Sequence, residues 1–153
     1  LKKKFKSLSL KKLRQLNLHT QPISEYSAVI AKIYKIRKIL KKYQTDFATK
    51  NKNCCIEGRD ISTKILPNAN IKFFFKCNLE VAAYRRYKEL KKRNNKIKLK
   101  DVKKALRIRN NHDLKRKNSP LKKHRNAIEI DTGKLNKQEM LKKMSNYVQK
   151  LLK

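Results

Sequence analysis

Glycine is scarce in this sequence: Gly58 and Gly133 are the only two in 153 residues. The sequence therefore contains no Gly-x-x-x-x-Gly-Lys-Ser/Thr loop, the motif whose backbone amides cradle nucleotide phosphates. Long apolar runs are also missing, and none approaches the length of a transmembrane helix. The basic start at Leu1–Lys4 is followed by no apolar stretch of the signal-peptide type. We therefore predict no membrane partner and a cytoplasmic location.

Acidic residues are few, with 11 Asp and Glu against 44 Lys and Arg, which gives a formal net charge of +33. This excess of positive charge favours a polyanionic partner, either nucleic acid or small phosphates. The basic residues are nevertheless spread along the chain and are mostly lysine, which fits a solvated lysine-rich surface equally well. The ten arginines are more informative, because a guanidinium offers phosphate or carboxylate a rigid fork that lysine cannot copy.

Cysteine is limited to Cys54, Cys55 and Cys77, an odd number whose spacing fits no zinc-binding pattern. Reduced thiols buried in a cytosolic protein are the expected state. The three histidines show no ligand spacing either, and we predict surface positions for them: His19, His112 and His124. Neither residue type predicts a metal site.

The apolar pattern along the chain alternates between helical and strand-like segments after a basic lead-in over residues 1–18. Helical spacing predicts one long or two short helices over Ser24–Phe47, a helix over Leu79–Asn94 and another over Leu99 to about Lys117. A capping box at Asn136 and Glu139 predicts a last helix, which runs to about Leu152. Short apolar runs predict three buried strands: Cys54–Glu57, Ile71–Phe75 and Ala127–Ile130. Such alternation predicts an α/β fold with a parallel sheet flanked by helices.

A charged group follows the first predicted strand at Glu57-Gly58-Arg59-Asp60. The carboxyl edge of a parallel sheet is where open α/β folds bind their ligands. Arg59 suits a phosphate, and Glu57 or Asp60 suits a metal-bound water or a base. The alternative is an ordinary polar strand end with a local ion pair.

A second group, Arg109, Asp113 and Arg116, shares one face of a predicted helix because its members are four and three residues apart. An acid between two arginines is either a solvated ion-pair ladder of little energetic value or a preorganised grip on a hydroxyl and a phosphate.

A third group consists of Arg85 and Arg86, which are adjacent on a predicted helix, so one of the two side chains is expected to point outward. A helix carrying this pair could close over a phosphoryl group in transfer.

Taken in order, these segments resemble the bacterial cytidylate kinases. The resemblance extends over about Leu18–Leu152 and rests on an ordered set of motifs: Glu57-Gly58-Arg59-Asp60 with Thr63, Leu66-Pro67-Asn68-Ala69, Arg85-Arg86-x-x-x-Leu90, Arg109-x-x-x-Asp113-x-x-Arg116 with Pro120-Leu121, and Asp131-Thr132. Each motif is modest alone, whereas the ordered set is specific.

The resemblance implies a P-loop nucleoside monophosphate kinase fold, truncated at the N-terminus. It implies transfer of the ATP γ-phosphoryl group to CMP or dCMP with Mg²⁺, by an enzyme that is a monomer when complete. Residues 19–153 are then a partial kinase domain, in which 19–50 belong to the CMP-binding helical region and 51–153 to the core sheet, lid and C-terminal helix. Because the phosphate-cradling loop is absent from these residues, we expect the 153-residue chain by itself to be inactive.

The resemblance also assigns CMP binding to six side chains: Arg37, Arg59, Asp60, Arg109, Asp113 and Arg116. Within this set Arg59 would bind the CMP phosphate, Arg109 and Asp113 would hold the ribose, and the other three would recognise the cytosine ring. Asp113 would accept a hydrogen bond from the 2′-hydroxyl.

The catalytic roles implied by the resemblance fall to Arg59 and to Arg85 and Arg86, which would belong to a lid over ATP. The segment 122–127 would line the adenine side. Two departures from the family pattern are visible: Ala28, next to Ser27, where the family often has serine, and Glu57 where many members have aspartate.

An alternative function is basic nucleic-acid binding, for example on the ribosome, and the net charge supports it. The carboxylates of Glu57, Asp60 and Asp113 count against it, because acids at the heart of the site would repel a phosphate backbone. We therefore predict no specific nucleic-acid partner.

Overall fold

The structure, a computed structural model, describes residues 16, 18, 20–51, 53–92 and 94–152. The predicted lead-in over residues 1–18 lies almost entirely outside the described residues, as does His19. Five helices and two strands are present in the described residues: α1 (Gln21–Ile30), α2 (Tyr34–Lys50), β1 (Phe73–Lys76), α3 (Leu79–Lys91), α4 (Leu99–Lys115), β2 (Ile128–Asp131) and α5 (Lys137–Leu152). A single π-helical turn, Ile61–Ile65, precedes β1.

The described residues fall into two compact units. One contains the residues up to Glu57 together with Arg116–Asn118, and the other contains Gly58–Lys115 and the residues from Ser119 onward. In the first unit, Thr20 caps the N-terminus of α1, because its hydroxyl accepts a hydrogen bond from the Ile23 N–H at 3.4 Å. The helical pattern predicted over Ser24–Phe47 is therefore confirmed as two helices, α1 and α2.

In the second unit, β1 and β2 pair in parallel, and the register places Phe73 opposite Ile128 and Lys76 opposite Asp131. This confirms the predicted parallel sheet. Ile130 on β2 is fully buried. Tyr147 on α5 meets the ring of Phe73 on β1 edge-on, with the two ring centroids 6.2 Å apart. The buried apolar residues of this unit, which include members of α3 and α4, are Ile65, Ala83, Leu90, Val102, Ala127 and Ile130.

The first predicted strand, Cys54–Glu57, is wrong: these residues form neither a strand nor a helix. In the described residues β1 and β2 pair with each other, and no third strand joins them. Without a neighbouring strand the apolar run has neither a hydrogen-bond ladder nor a covering face. The prediction of buried thiols is wrong for Cys54 and Cys55, which are exposed, whereas Cys77 is half-buried; all three are free cysteines.

The helix ends follow local hydrogen bonds. The capping box predicted for α5 is confirmed, because the Asn136 N–H donates to Glu139 Oε2 at 2.8 Å and the Glu139 N–H donates to Asn136 Oδ1 at 3.0 Å. Helix α4 ends two residues before the predicted Lys117, where the Leu121 N–H donates to the Asp113 carbonyl oxygen at 2.7 Å. Between the end of α4 and Leu121, Ser119 has a φ of 55°, in the left-handed region of backbone conformation.

Glu129 on β2 makes an electrostatic link across the sheet. Its carboxylate lies 2.5 Å from Lys76 Nζ on β1 and 3.1 Å from Lys123 Nζ. The hydrogen bond from Lys76, followed by that from Lys123, lowers the pKa of Glu129 below its usual value, and the pKa of Lys76 is raised by the same contact. The link therefore depends on an ionised carboxylate.

We expect acid to weaken the folded state through Glu129. Because the pKa of Glu129 is lower in the folded chain, its stabilising contribution is present above about pH 4.5 and is lost as the pH falls through the folded-state pKa. Glu129→Gln should therefore reduce the fall in unfolding free energy between pH 7 and pH 3, as measured by urea titration. Glu139→Gln, which keeps the capping box, is the matched control, and an unchanged pH dependence in Glu129→Gln would contradict the expectation.

Candidate functional site

The segment Gly58–Asp60 enters the π-helical turn in a fixed conformation. The Asp60 carbonyl oxygen accepts hydrogen bonds from the Lys64 N–H at 2.9 Å and from the Thr63 and Ile65 N–H groups at 3.3 Å. Asp60 itself is buried, with 8% of its surface exposed. At Gly58 a Cβ atom would lie 2.6 Å from Ile61 Cγ1, so a side chain there would force Ile61 to move. The close approach at Gly58 and the turn after Asp60 thus fix the position of Arg59 between them.

Arg59 forms an ion pair with Asp113 near the end of α4. Arg59 Nε lies 3.2 Å from Asp113 Oδ2, and the exposed fractions of the two side chains are 40% and 10%. The structure therefore joins two motifs that are distant in the sequence. A buried carboxylate needs such a partner, because an uncompensated charge away from water is costly.

Arg109 lies one helical turn before Asp113 on α4 and is half-buried. Burial is the main cause that lowers the pKa of Arg109, and the positive charges of Arg59 and then Arg86 lower it further, while the charge of Asp113 acts in the opposite direction. We call Arg59, Arg86, Arg109 and Asp113 the arginine cluster. In this cluster the positive charges of Arg59 and Arg86 both act on Arg109, and the buried carboxylate of Asp113 pairs with Arg59.

Arg85 and Arg86 on α3 make different contacts. Arg86 Nη1 lies 2.8 Å from Glu89 Oε2, and 24% of the Arg86 side chain is exposed. Arg85 is exposed, and its Nη2 donates to the Leu135 carbonyl oxygen at 3.3 Å. Sequence analysis did not identify Glu89, although its spacing of three residues from Arg86 on one helix was a usable signal.

The remaining predicted residues belong to other parts of the structure. Arg37 is half-buried in the first unit, where its Nη1 donates to the Ala31 carbonyl oxygen at 3.3 Å. Glu57 is exposed and Arg116 is half-buried, and both are grouped with the first unit. In the segment 122–127, His124 is half-buried, and its Nδ1 accepts the Asn126 N–H at 3.1 Å.

Helices combined with a small parallel sheet, in a unit that also contains the arginine cluster, are consistent with the α/β nucleoside monophosphate kinase class. The sequence profile described as "Cytidylate kinase" matches residues 4–150. The chain therefore belongs to the cytidylate kinase family, a family of phosphotransferase enzymes.

Individual relatives agree with this assignment. The chain is similar to a cytidylate kinase of Caldanaerobacter subterraneus subsp. tengcongensis, 38% identical over 128 residues, which are 84% of this chain and 57% of the relative. It is also similar to a cytidylate kinase of Rickettsia akari, 32% identical over 142 residues, which are 93% of this chain and 65% of the relative. A cytidylate kinase of Clostridium tetani is 37% identical over 127 residues, which are 83% of this chain and 56% of the relative. The chain thus spans less than two thirds of the length of the curated relatives that it matches.

The described helices include none that is both long enough and apolar enough to cross a membrane. Among the described residues, no group of three or more His, Cys, Asp and Glu side chains is placed to hold a metal ion.

Proposed function

We propose that this chain carries the CMP-binding side of a (d)CMP kinase, which transfers the ATP γ-phosphoryl group to CMP or dCMP to give CDP or dCDP. The arginine cluster is the observation that supports this most strongly. Two of its three guanidinium groups are matched by a carboxylate, Arg59 by Asp113 and Arg86 by the exposed Glu89. The pKa of Arg109 is lowered by burial and by repulsion from Arg59 and Arg86, against the opposite effect of Asp113. A bound phosphate dianion would relieve that repulsion, so the cluster is suited to an anion.

In this proposal Asp113 has two tasks. It holds Arg59 by the Nε atom at 3.2 Å, which directs the two terminal nitrogens of the guanidinium toward the phosphate of CMP. As a buried acceptor it also takes a hydrogen bond from the 2′-hydroxyl of the ribose, with Arg109 beside it. Positioning of this kind is the main part of catalysis in phosphoryl transfer, because the phosphate oxygen of CMP attacks directly and no protein nucleophile is needed.

The cytosine ring would be recognised by Arg37, Asp60 and Arg116, as in the family. A buried carboxylate such as that of Asp60 can accept a hydrogen bond from the exocyclic amine of cytosine. Uracil carries a carbonyl oxygen at that position, which would face the carboxylate without a proton between them. Selectivity for CMP over UMP follows from this chemistry.

ATP is the second substrate, and Mg²⁺ enters with its phosphates, which supply the oxygen ligands that this ion prefers. Arg85 and Arg86 on α3 would close over the transferring group, and residues 122–127 would line the adenine side. Residues 19–50 would belong to the CMP-binding region and 51–153 to the core, the lid and the last helix of a protein that is a monomer when complete.

We place the reaction in the cytoplasm, where thiols remain reduced, in agreement with three free cysteines.

Nucleotide binding tests the proposal directly. Isothermal titration of the chain should give tighter binding of CMP than of UMP, and Asp60→Asn should reduce that preference. Equal affinity for CMP, UMP and inorganic phosphate would contradict a CMP site. Tight, sequence-selective binding of duplex DNA at physiological salt would favour the nucleic-acid alternative, whereas a lysine-rich coat predicts weak binding that falls steeply with salt.

A further inference from the structure

Two adjacent cysteines lie on the surface in the segment Cys54–Glu57. Cys54 and Cys55 are exposed and free, in contrast to the half-buried Cys77. Residues 54–57 belong to neither a helix nor a strand, so no ladder of sheet hydrogen bonds fixes the directions of the two side chains. Both thiols are therefore accessible to a reagent in solution.

We propose that Cys54 and Cys55 form a vicinal dithiol site for a soft, thiophilic centre, with a trivalent organoarsenical as its chemical class of ligand. Consecutive Cα atoms are about 3.8 Å apart. Ordinary disulfides span about 4.4–6.8 Å between Cα atoms, so a direct bond between these neighbours is strained. One bridging atom enlarges the ring and relieves that strain, and thiol sulfur is the ligand that soft centres select.

The binding reaction balances without a redox partner. When phenylarsine oxide, C₆H₅AsO, reacts with the pair, two S–H bonds and the arsenic–oxygen bond break and two arsenic–sulfur bonds form. The two protons leave with the oxygen as one molecule of water, and the arsenic remains trivalent. Its third bond is to the phenyl carbon, so two protein ligands suffice. This matters because the described residues provide no cluster of three or more ligating side chains.

The site is tested by intact-mass measurement of the full chain treated with phenylarsine oxide and then washed with a monothiol. One arsenical per chain is expected in the unaltered protein and in Cys77→Ser, the control that keeps the pair. Cys54→Ser and Cys55→Ser should each lose the adduct, because a single arsenic–thiol bond exchanges with the monothiol. A 1,2-dithiol should remove the adduct from the unaltered chain.

The rate of the reaction tests the exposure of the pair, since an unfolded chain would also present two thiols. The native chain should react within about tenfold of the rate in urea, because accessible thiols need no opening of the structure. A native chain that reacts only after unfolding would overturn the proposal. Retention of the adduct in Cys54→Ser, or its loss in Cys77→Ser, would overturn it as well.

Discussion

Arg59→Lys is expected to weaken CMP binding by roughly thirtyfold, or about 2 kcal/mol, the range of a charge-assisted hydrogen bond. In the structure Arg59 contacts Asp113 through Nε, and in the proposed site its terminal nitrogens hold the phosphate. A lysine ammonium is a single point of charge and cannot make both contacts in this geometry. The measurement is the dissociation constant for CMP by isothermal titration at one fixed ionic strength.

Arg107→Lys is the matched control, because Arg107 is exposed on the same helix as Arg109 and lies outside the arginine cluster. Its effect on CMP binding should be no more than about twofold. A thermal melt of each variant separates loss of binding from loss of folding. If Arg59→Lys and Arg107→Lys bind CMP equally well while both remain folded, Arg59 does not hold the phosphate.

The 153-residue chain is expected to give no measurable CMP-dependent release of ADP from ATP. Its residues include no glycine-rich loop to cradle the β- and γ-phosphates, and such positioning supplies most of the rate in this class of reaction. A coupled assay of ADP release, with and without CMP, measures this directly. Robust CMP-dependent turnover by residues 1–153 would show that the phosphates are held by other groups.

A chimera provides the positive arm of this experiment. An added N-terminal segment with a strand, a glycine-rich loop and a helix, joined ahead of this chain, should give CMP-dependent turnover. Arg59→Lys in the chimera should lower that turnover, whereas Arg107→Lys should leave it nearly unchanged. An inactive chimera that still binds CMP would show that the ATP side of this chain does not function.

Local patterns predicted the elements whose stability is mainly local. The capping box at Asn136 and Glu139 and the helical spacing in α1 and α2 depend on residues within a few positions of one another, and both were predicted. The Cys54–Glu57 strand was predicted wrongly because a strand depends on a neighbouring strand, which is often distant in the sequence. The apolar run shows that these residues are suited to a buried strand, but it does not show whether a partner strand is present.

The candidate site shows the same division between local and long-range information. The position of Asp113 one turn after Arg109 follows from helical periodicity alone. The ion pair of Asp113 with Arg59, and the effect of the Arg86 charge on the pKa of Arg109, depend on how distant segments fold onto one another. No spacing in the sequence indicates these interactions, and only the resemblance to a family suggested that the motifs act together.

The parallel pairing of β1 and β2 has a consequence for the order of folding. Thr132, just after β2, donates a hydrogen bond to the carbonyl oxygen of Lys76 across 56 positions in the sequence. Closing so long a loop in an unfolded chain costs entropy before any strand contact compensates for it. Helices α3 and α4, which lie between the strands and pack against each other, shorten that loop once they have formed. We therefore expect the helical hairpin to form before the sheet, and during synthesis β1 can pair only after β2 has emerged from the ribosome.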